Sequence, residues 1–329
     1  MKIDAKPMVS VIIPNYNHEK YLIQRLDSIF NQTYQNFELI LLDDCSTDNS
    51  REILLEYALN SKVSHCVFNE TNSSNTFVQW TKGIALAKGD FIWIAESDDF
   101  CDVSFIEKVI QPLINNPDVV LSYCQSNKVN EKGEVVGNWL EYTNRFDTSL
   151  FENDFILKGK DFIERFLVFR NVIPNASAVI FRKPKLIEIE YLKQESLRCN
   201  GDWIFYTQLI WTQSIAFIKD SENSFRYHEK SVIATSTKTE PRHITIDIIV
   251  MMRKKMISFF LLQNHNETIT VIKENKRLIK DLKYEQALLF INNNQKIKGL
   301  LILTTVLDVF FKKYKFKKNI NLKLKRILS

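Results

Sequence analysis

Glycine is scarce, 7 in 329 residues, and none of the seven falls into G-x-G-x-x-G or G-x-x-x-x-G-K-[ST]. Those spacings let backbone approach a phosphate closely, so their lack argues against a dinucleotide-binding Rossmann turn and a P-loop. The five cysteines, Cys45, Cys66, Cys101, Cys124 and Cys199, are odd in number and scattered, with no C-x-x-C pair. That pattern fits reduced thiols in a cytosolic protein and not a disulfide framework or a zinc site. The start, Met1 to Met8, has no apolar core, so no signal peptide is expected. No apolar run reaches membrane-spanning length; the best, Leu300 to Phe311, is short and holds Asp308. The net charge of +5 is modest and the basic residues are not set in a recognition motif, so nucleic acid is not expected as a partner.

What is present is an ordinary globular composition, 45% hydrophobic and 25% charged, with length for one large domain and an appendage or for two domains. Continuous apolar runs at Val9–Pro14, Phe37–Leu42, Val63–Phe68 and from Phe91 to a strand end at Glu96 alternate with amphipathic stretches. The first of those begins near Asn17, an expected N-cap, and puts Tyr21, Leu22, Leu26, Ile29 and Phe30 on one face. The second spans about Asn49 to Asn60, with Ser46 or Asp48 as cap. The third runs from Phe77 to Ala87, with Gly89 expected as a left-handed stop. Strands without alternation are covered on both faces, and the β-α-β-α-β-α-β order implies a mainly parallel central sheet flanked by helices.

Ligands of such sheets bind beyond the carboxyl ends of the strands. Three ends carry marked residues: Asn15-Tyr16-Asn17, Asp43-Asp44, and Glu96-Ser97-Asp98-Asp99. Crowded acids repel one another, and a divalent cation relieves that repulsion; Mg²⁺ typically takes one or two carboxylates and completes its shell with phosphate and water. A solvated loop capping the next helix through Asp102 or Ser104 is the plainer alternative. Farther on, a helix over Val103–Leu113 is expected to end at Pro112 and Pro117, then a strand over Val119–Cys124 and a hairpin turn at Lys132-Gly133. Gly137–Asp154 reads as a loop over the cleft. Phe162–Phe169 reads as a helix and Ala178–Phe181 as a strand. Asn200-Gly201-Asp202 opens a helix over Trp203–Trp211, and Ile215–Ile218 and Ser224–Tyr227 read as two strands.

From about Thr239 the pattern turns helical: Ile244–Leu262, Thr268–Ile291 and Lys296–Phe311. The last is apolar and meets Lys312, Lys313, Lys315, Lys317, Lys318, Lys323, Lys325 and Arg326. An apolar helix against a basic tail suits an anionic membrane surface, at about 1 kcal/mol per basic residue. A helix packed on the core with a solvated tail is the alternative. The expected division is 1–238 and 239–329.

Val9 to Asn17, Tyr21-Leu22, Ser28 to Tyr34, Phe37 to Asp48, Lys82 to Ile92 and Ser97-Asp98-Asp99 together resemble the opening of a family 2 glycosyltransferase with the GT-A fold. Weaker echoes follow at Asn175 to Val179, Gly201-Asp202-Trp203 and Phe225 to His228, so the likeness covers about residues 8 to 235. The resemblance implies an α/β, GT-A catalytic domain with a C-terminal helical extension. It implies inverting transfer from a nucleotide-diphosphate sugar, usually UDP, with Mg²⁺ or Mn²⁺. Pro14 and Tyr16 would then flank the base, with Asn15 and Asn17 in the same donor-binding set, and Asp44 would pair with the ring nitrogen of the base, Asp43 being the adjacent candidate. Asp98 would hold the metal. Ser97 or Glu96 would face the ribose, and His228 would touch the diphosphate or metal. Asp202 would be the catalytic base, and Trp203, Tyr206 or Trp93 would stack on a sugar. Four places depart from the family's commoner pattern: Glu96 stands for Asp, Gly201 for Glu, Ser74 lies where glycine is common, and Trp80-Thr81-Lys82 stands for Arg or Ala-x-Asn. The implied acceptor is a glycan or lipid-linked hydroxyl in surface polysaccharide synthesis, at the cytoplasmic membrane face. A nucleotidyltransferase would also use acids and a metal but normally needs a basic, glycine-rich loop after the first strand, which Asn15-Tyr16-Asn17-His18 is not. A catalytically silent assembly partner is the other alternative.

Overall fold

The computed structural model describes residues 6–147, 149–189, 192, 200–228 and 241–313. The chain divides into two compact units, Met1–Ala234 and Thr235–Ser329. The boundary expected at 238 lies outside the described residues.

The first unit opens with β1 (Val9–Asn15), α1 (Glu19–Phe30), β2 (Phe37–Asp43), α2 (Ser50–Tyr57), β3 (Val63–Phe68), α3 (Thr76–Leu86) and β4 (Phe91–Ile94). After these come β5 (Phe100–Cys101), α4 (Phe105–Asn115), β6 (Val119–Val129), β7 (Val135–Asn138), β8 (Phe155–Lys158) and β9 (Val179–Arg182). A helix over Gly201–Ile210 and strand β10 (Ser214–Arg226) follow. The sheet order is β3-β2-β1-β4-β9-β6-β10-β5. The first four strands are parallel, and β6 and β10 run with them. Every residue of β1, β2 and β4 is buried, which is why those strands are apolar throughout. Registers Asn15 with Asp43 and Ile12 with Ile94 bring the carboxyl ends of β1, β2 and β4 to one edge.

Several local details differ from the sequence expectations. Asn17 is not a helix cap: it sits at φ 55°, and its side chain accepts the Thr47 N–H at 2.7 Å. Asp48 serves two helix starts instead, accepting from Glu19 N and Ser50 N, both at 3.0 Å. Gly89 has no left-handed conformation; α3 ends in extended backbone at Ala87. Gly89 is needed because a Cβ there would lie 2.6 Å from the Met8 carbonyl oxygen. Pro112 lies inside α4, whose buried Val109, Ile110 and Leu113 hold the helix beyond it. The two strands expected around Lys219-Asp220 are one, β10, with a register shift between Ile218 and Asn223 that absorbs the polar break. Between Gly137 and Asp154 the chain is not all loop, since β7, a turn of helix at Leu140–Thr143 and a 3₁₀ turn at Leu150–Glu152 occur there. The helix expected over Phe162–Phe169 begins at Gly159 and continues as a π-helical turn over Ile163–Leu167. Cys45, Cys66, Cys101 and Cys124 are free thiols.

The second unit holds helices Arg242–Leu261, His265–Asn292, Lys296–Thr304 and Leu307–Lys313. Ala287, Leu303 and Val306 form a buried cluster backed by Tyr284, Ile302, Val309 and Phe310. Arg253 and Asn275 are hydrogen-bonded in its interior at 3.0 Å. The single helix expected over Lys296–Phe311 is broken at Thr304-Thr305, whose hydroxyls bond back to the Leu301 and Ile302 carbonyls. Ile297, Leu300, Leu301, Leu307 and Phe311 are exposed. Among the described residues no helix is long and apolar enough to cross a membrane. Of the basic tail, Lys312 and Lys313 are described; Lys315, Lys317, Lys318, Lys323, Lys325 and Arg326 lie outside the described residues.

Candidate active site

The acidic turn after β4 is clamped from below by two buried arginines. Arg25, on α1, donates through Nε to the Glu96 carbonyl at 2.9 Å and stands 3.9 Å from Asp99. Arg226, at the end of β10, donates its backbone N–H to Asp99 Oδ1 at 2.9 Å and its Nε to the Asp98 carbonyl at 2.7 Å. Asn175 donates to the other Asp99 oxygen at 2.5 Å. Asp99 is therefore a buried strut beneath the turn. Burial and the neighbouring Asp98 charge push its carboxyl up to about 7, against the pull of Arg25.

The clamp leaves the Asp98 side chain, 15% exposed, against a histidine two residues beyond β10. His228 Nε2 lies 3.0 Å from Asp98 Oδ2, joining residues 130 positions apart. His18, just before α1, touches Ser97 Oγ through Nδ1 at 2.8 Å. Burial raises the Asp98 carboxyl, but His18 and His228 outweigh it and hold the group below the usual carboxylate range. One ligand atom each from His18, Asp98 and His228 lie within 4.8 Å of one another. A carboxylate between imidazoles is a donor set that fits a divalent metal ion.

Glu96 points elsewhere. It accepts from the Trp80 indole at 3.0 Å, and burial with the Asp98 charge pushes its carboxyl up to about 8. The departure at Trp80 and the departure at Glu96 are thus partners. Asp43 and Asp44 are bound differently. Asp43 accepts from Asn15 Nδ2 at 2.9 Å and from Ser46. Asp44 accepts from Asn69, the Ser73 backbone and hydroxyl, and Gln79. The Asp44 carboxylate therefore ties the Asn69–Ser73 stretch to Gln79 on α3. Pro14 and Asn15 are buried beside it, while the Tyr16 ring is 45% exposed, an open face at the strand end.

Asp202 sits in the first turn of the Gly201–Ile210 helix, two residues after the cap position Asn200. Asn171 donates to its Oδ2 at 3.0 Å. Burial pushes the carboxyl up to about 6, against backbone N–H groups of the helix start and Asn171. No hydrogen bond joins Asp202 to Asp98 among those found for the described residues. The link to the acidic turn is through packing: Phe205 meets Trp80 at 6.3 Å, and Tyr206 lies under the charges of both Asp202 and Glu96. Gly201 is explained by the same contact, since a Cβ there would stand 2.7 Å from the Phe77 ring. Trp93 is a core residue, stacked on Phe105 and donating to the Ser177 carbonyl. Trp203 and Tyr206 are buried too, so none of these three rings is an open platform for a sugar.

His18 and Arg25 carry no sequence signal of their own as site elements, Asn175 and Arg226 enter only within weak family echoes, and the pairing of Trp80 with Glu96 is visible only in the structure. An arginine on an apolar helix face gives no local sign that its partner is 71 residues away. Only the position of His18 beside Asn17, at a marked strand end, hinted at its place.

Residues 10–172 match the model of the family described as glycosyl transferase family 2. Glycosyltransferase GlyG of Streptococcus pneumoniae serotype 4 is 29% identical over 242 residues, covering 69% of this chain and 73% of that protein. The putative teichuronic acid biosynthesis glycosyltransferase TuaG of Bacillus subtilis is 35% identical over 106 residues, 32% of this chain and 42% of that protein. The crystal structure of S. aureus TarS 1-349 in complex with UDP-GlcNAc superposes with a TM-score of 0.57 at 17% identity, covering 89% of each chain. A mannosyltransferase, PcManGT, from Pyrobaculum calidifontis in complex with GDP-Man and Mn²⁺ gives 0.54 at 12% identity, covering 96% of this chain and 84% of that one. The chain belongs to the family 2 glycosyltransferases and has the GT-A fold, a mixed sheet with mostly parallel strands, followed by a helical region.

Proposed function

We propose that this glycosyltransferase moves a sugar, with inversion, from a UDP-sugar to a hydroxyl of a glycan or lipid-linked acceptor in surface polysaccharide synthesis. The observation that supports it best is the Asp98–His228 pair at the strand edge that also presents Tyr16, Asp43 and Asp44. In this reading the exposed Tyr16 ring and the buried Pro14 flank the uracil, with Asn15 and Asn17 shaping that edge. Asp44, supported by Asp43, accepts the ring N–H. Ser97 or Glu96 faces the ribose side. Asp98 and His228 would hold Mg²⁺ or Mn²⁺, whose Lewis acidity offsets charge on the departing diphosphate. Asp202 takes the proton of the acceptor hydroxyl as that oxygen bonds to C1 and the C1–O bond to the diphosphate breaks. The relatives' names favour surface glycan and the UDP complexes of TarS favour uridine.

Calorimetric titration of UDP with Mn²⁺, then with EDTA, tests the donor site. Micromolar binding that needs the metal is the expected result. Equal binding in EDTA would remove the metal from the reading, and binding of GDP or dTDP but not UDP would change the base.

We further propose a peripheral position at the inner face of the cell membrane, through the apolar residues exposed on the Lys296–Thr304 and Leu307–Lys313 helices. Leu300 and Leu301 are 54% and 65% exposed, so replacing both by Ser leaves the Ala287–Leu303 cluster in place. Each buried leucine contributes about 1.5–3 kcal/mol, so the double variant should lose co-sedimentation with anionic vesicles at least tenfold. Unchanged sedimentation at moderate salt would refute membrane contact by this face.

A further inference from the structure

We propose that His18 is a third protein ligand of the cation site. With Asp98 and His228 it completes a set of two imidazoles and one carboxylate that takes a divalent transition metal in preference to Mg²⁺. The inference rests on the reading of Asp98 and His228 as metal ligands.

Three observations converge on His18. Its ligand atom and those of Asp98 and His228 lie within 4.8 Å of one another. Two ligands of one ion, each about 2.1 Å from it, stand up to about 4.2 Å apart, so a side-chain movement on the order of an ångström closes the set. Second, the ring is held ready. Nδ1 is bonded to Ser97 Oγ at 2.8 Å, the kind of outer contact that fixes the orientation and tautomer of a ligating imidazole. The two imidazoles are nearly perpendicular, at 86° with centroids 5.5 Å apart, and Tyr21 packs against both. Third, the backbone is locked, because the His18 carbonyl accepts from Tyr21 and Leu22 at the start of α1.

The donor set decides the metal. Mg²⁺ seeks oxygen and normally completes its shell with substrate phosphates and water. Imidazole nitrogen favours first-row transition ions, and their affinities rise from Mn²⁺ along the series. A site with three ligands of its own also need not wait for a diphosphate. It should bind Mn²⁺ before the nucleotide arrives.

The test is a Mn²⁺ titration of the full chain followed by the free-ion EPR signal, without nucleotide and then with UDP, with Mg²⁺ as competitor. Wild type is expected to bind Mn²⁺ without UDP and to need about a hundredfold excess of Mg²⁺ for displacement. His18→Ala should weaken nucleotide-free binding about 10–100-fold, as losing even an outer-shell partner commonly does. His18→Gln retains a group able to bond Ser97 but has no imidazole, and it should bind as poorly as the Ala variant. Mn²⁺ binding at wild-type strength in either variant overturns the inference and leaves Asp98 and His228 standing. Wild-type binding by Asp98→Asn, or no Mn²⁺ uptake by wild type even with UDP, instead removes the metal site itself and His18 with it.

Discussion

Replacing Asp202 by Asn is expected to lower kcat by about 10²–10⁴-fold, the usual contribution of a positioned general base. The same change should barely touch stability. A carboxylate in a first helical turn contributes about 0.3–1 kcal/mol through the helix dipole, whereas the rate loss corresponds to about 3–5 kcal/mol of barrier. If Asp202 were only a helix-start residue, Asn would serve there almost as well and the rate would hold. The pH profile gives a second readout. Burial places the Asp202 carboxyl at about 6, and the base works deprotonated, so kcat/KM should fall as pH drops through 6. Asn171 donates to the carboxylate and lowers that value. Asn171→Ala should therefore move the acid limb to higher pH. A limb that stays put in Asn171→Ala, or an Asp202→Asn enzyme with wild-type kcat, would assign the base elsewhere. Retained donor turnover in wild type, lost in Asp202→Asn, would also exclude a silent assembly partner.

The second large effect is expected at Asp98. Asp98→Asn should reduce UDP affinity in Mn²⁺ to the level seen in EDTA, a loss of about a hundredfold or more, since the carboxylate supplies the charge that retains the cation. The fold should survive, because the clamp on this turn is made by the Asp98 carbonyl and by Asp99, not by the Asp98 side chain. Removing the charge also relieves Glu96 and Asp99, both of which Asp98 pushes up. A far-ultraviolet spectrum matching wild type, with metal-dependent UDP binding gone, is the expected pair of results. Metal-dependent affinity retained in Asp98→Asn would move the cation to other ligands.

Both predictions concern residues whose roles the family resemblance implies. Local signals reach less far: a strand apolar at every position runs into a cluster of acids that includes Asp98, and Asp202 falls in the first turn of a helix after Asn200-Gly201. Where the structure departs from the local sequence pattern, the cause is a contact that chain neighbours do not reveal. Asn17 looked like a cap, yet Asp48 from the β2 loop does that work. Gly89 looked like a helix stop, yet the Met8 backbone demands a residue without Cβ there. Lys219-Asp220 looked like a strand break, yet the flanking pairing with β6 carries β10 through.

From sequence alone came the alternation of buried strands and helices, hence the parallel half of the sheet, and the acids at three strand ends. These follow from apolar periodicity and chain order, which are properties of short segments. Tertiary structure decided what each of those acids is bonded to. It set Asp99 between Arg25, Arg226 and Asn175 as a strut, tied Glu96 to Trp80, and engaged Asp43 and Asp44 in their own loops. It left Asp98 facing two histidines that come from opposite ends of the first unit. A carboxylate's role depends on its desolvation and on the charges within a few ångströms, and those are supplied by residues far away in the chain.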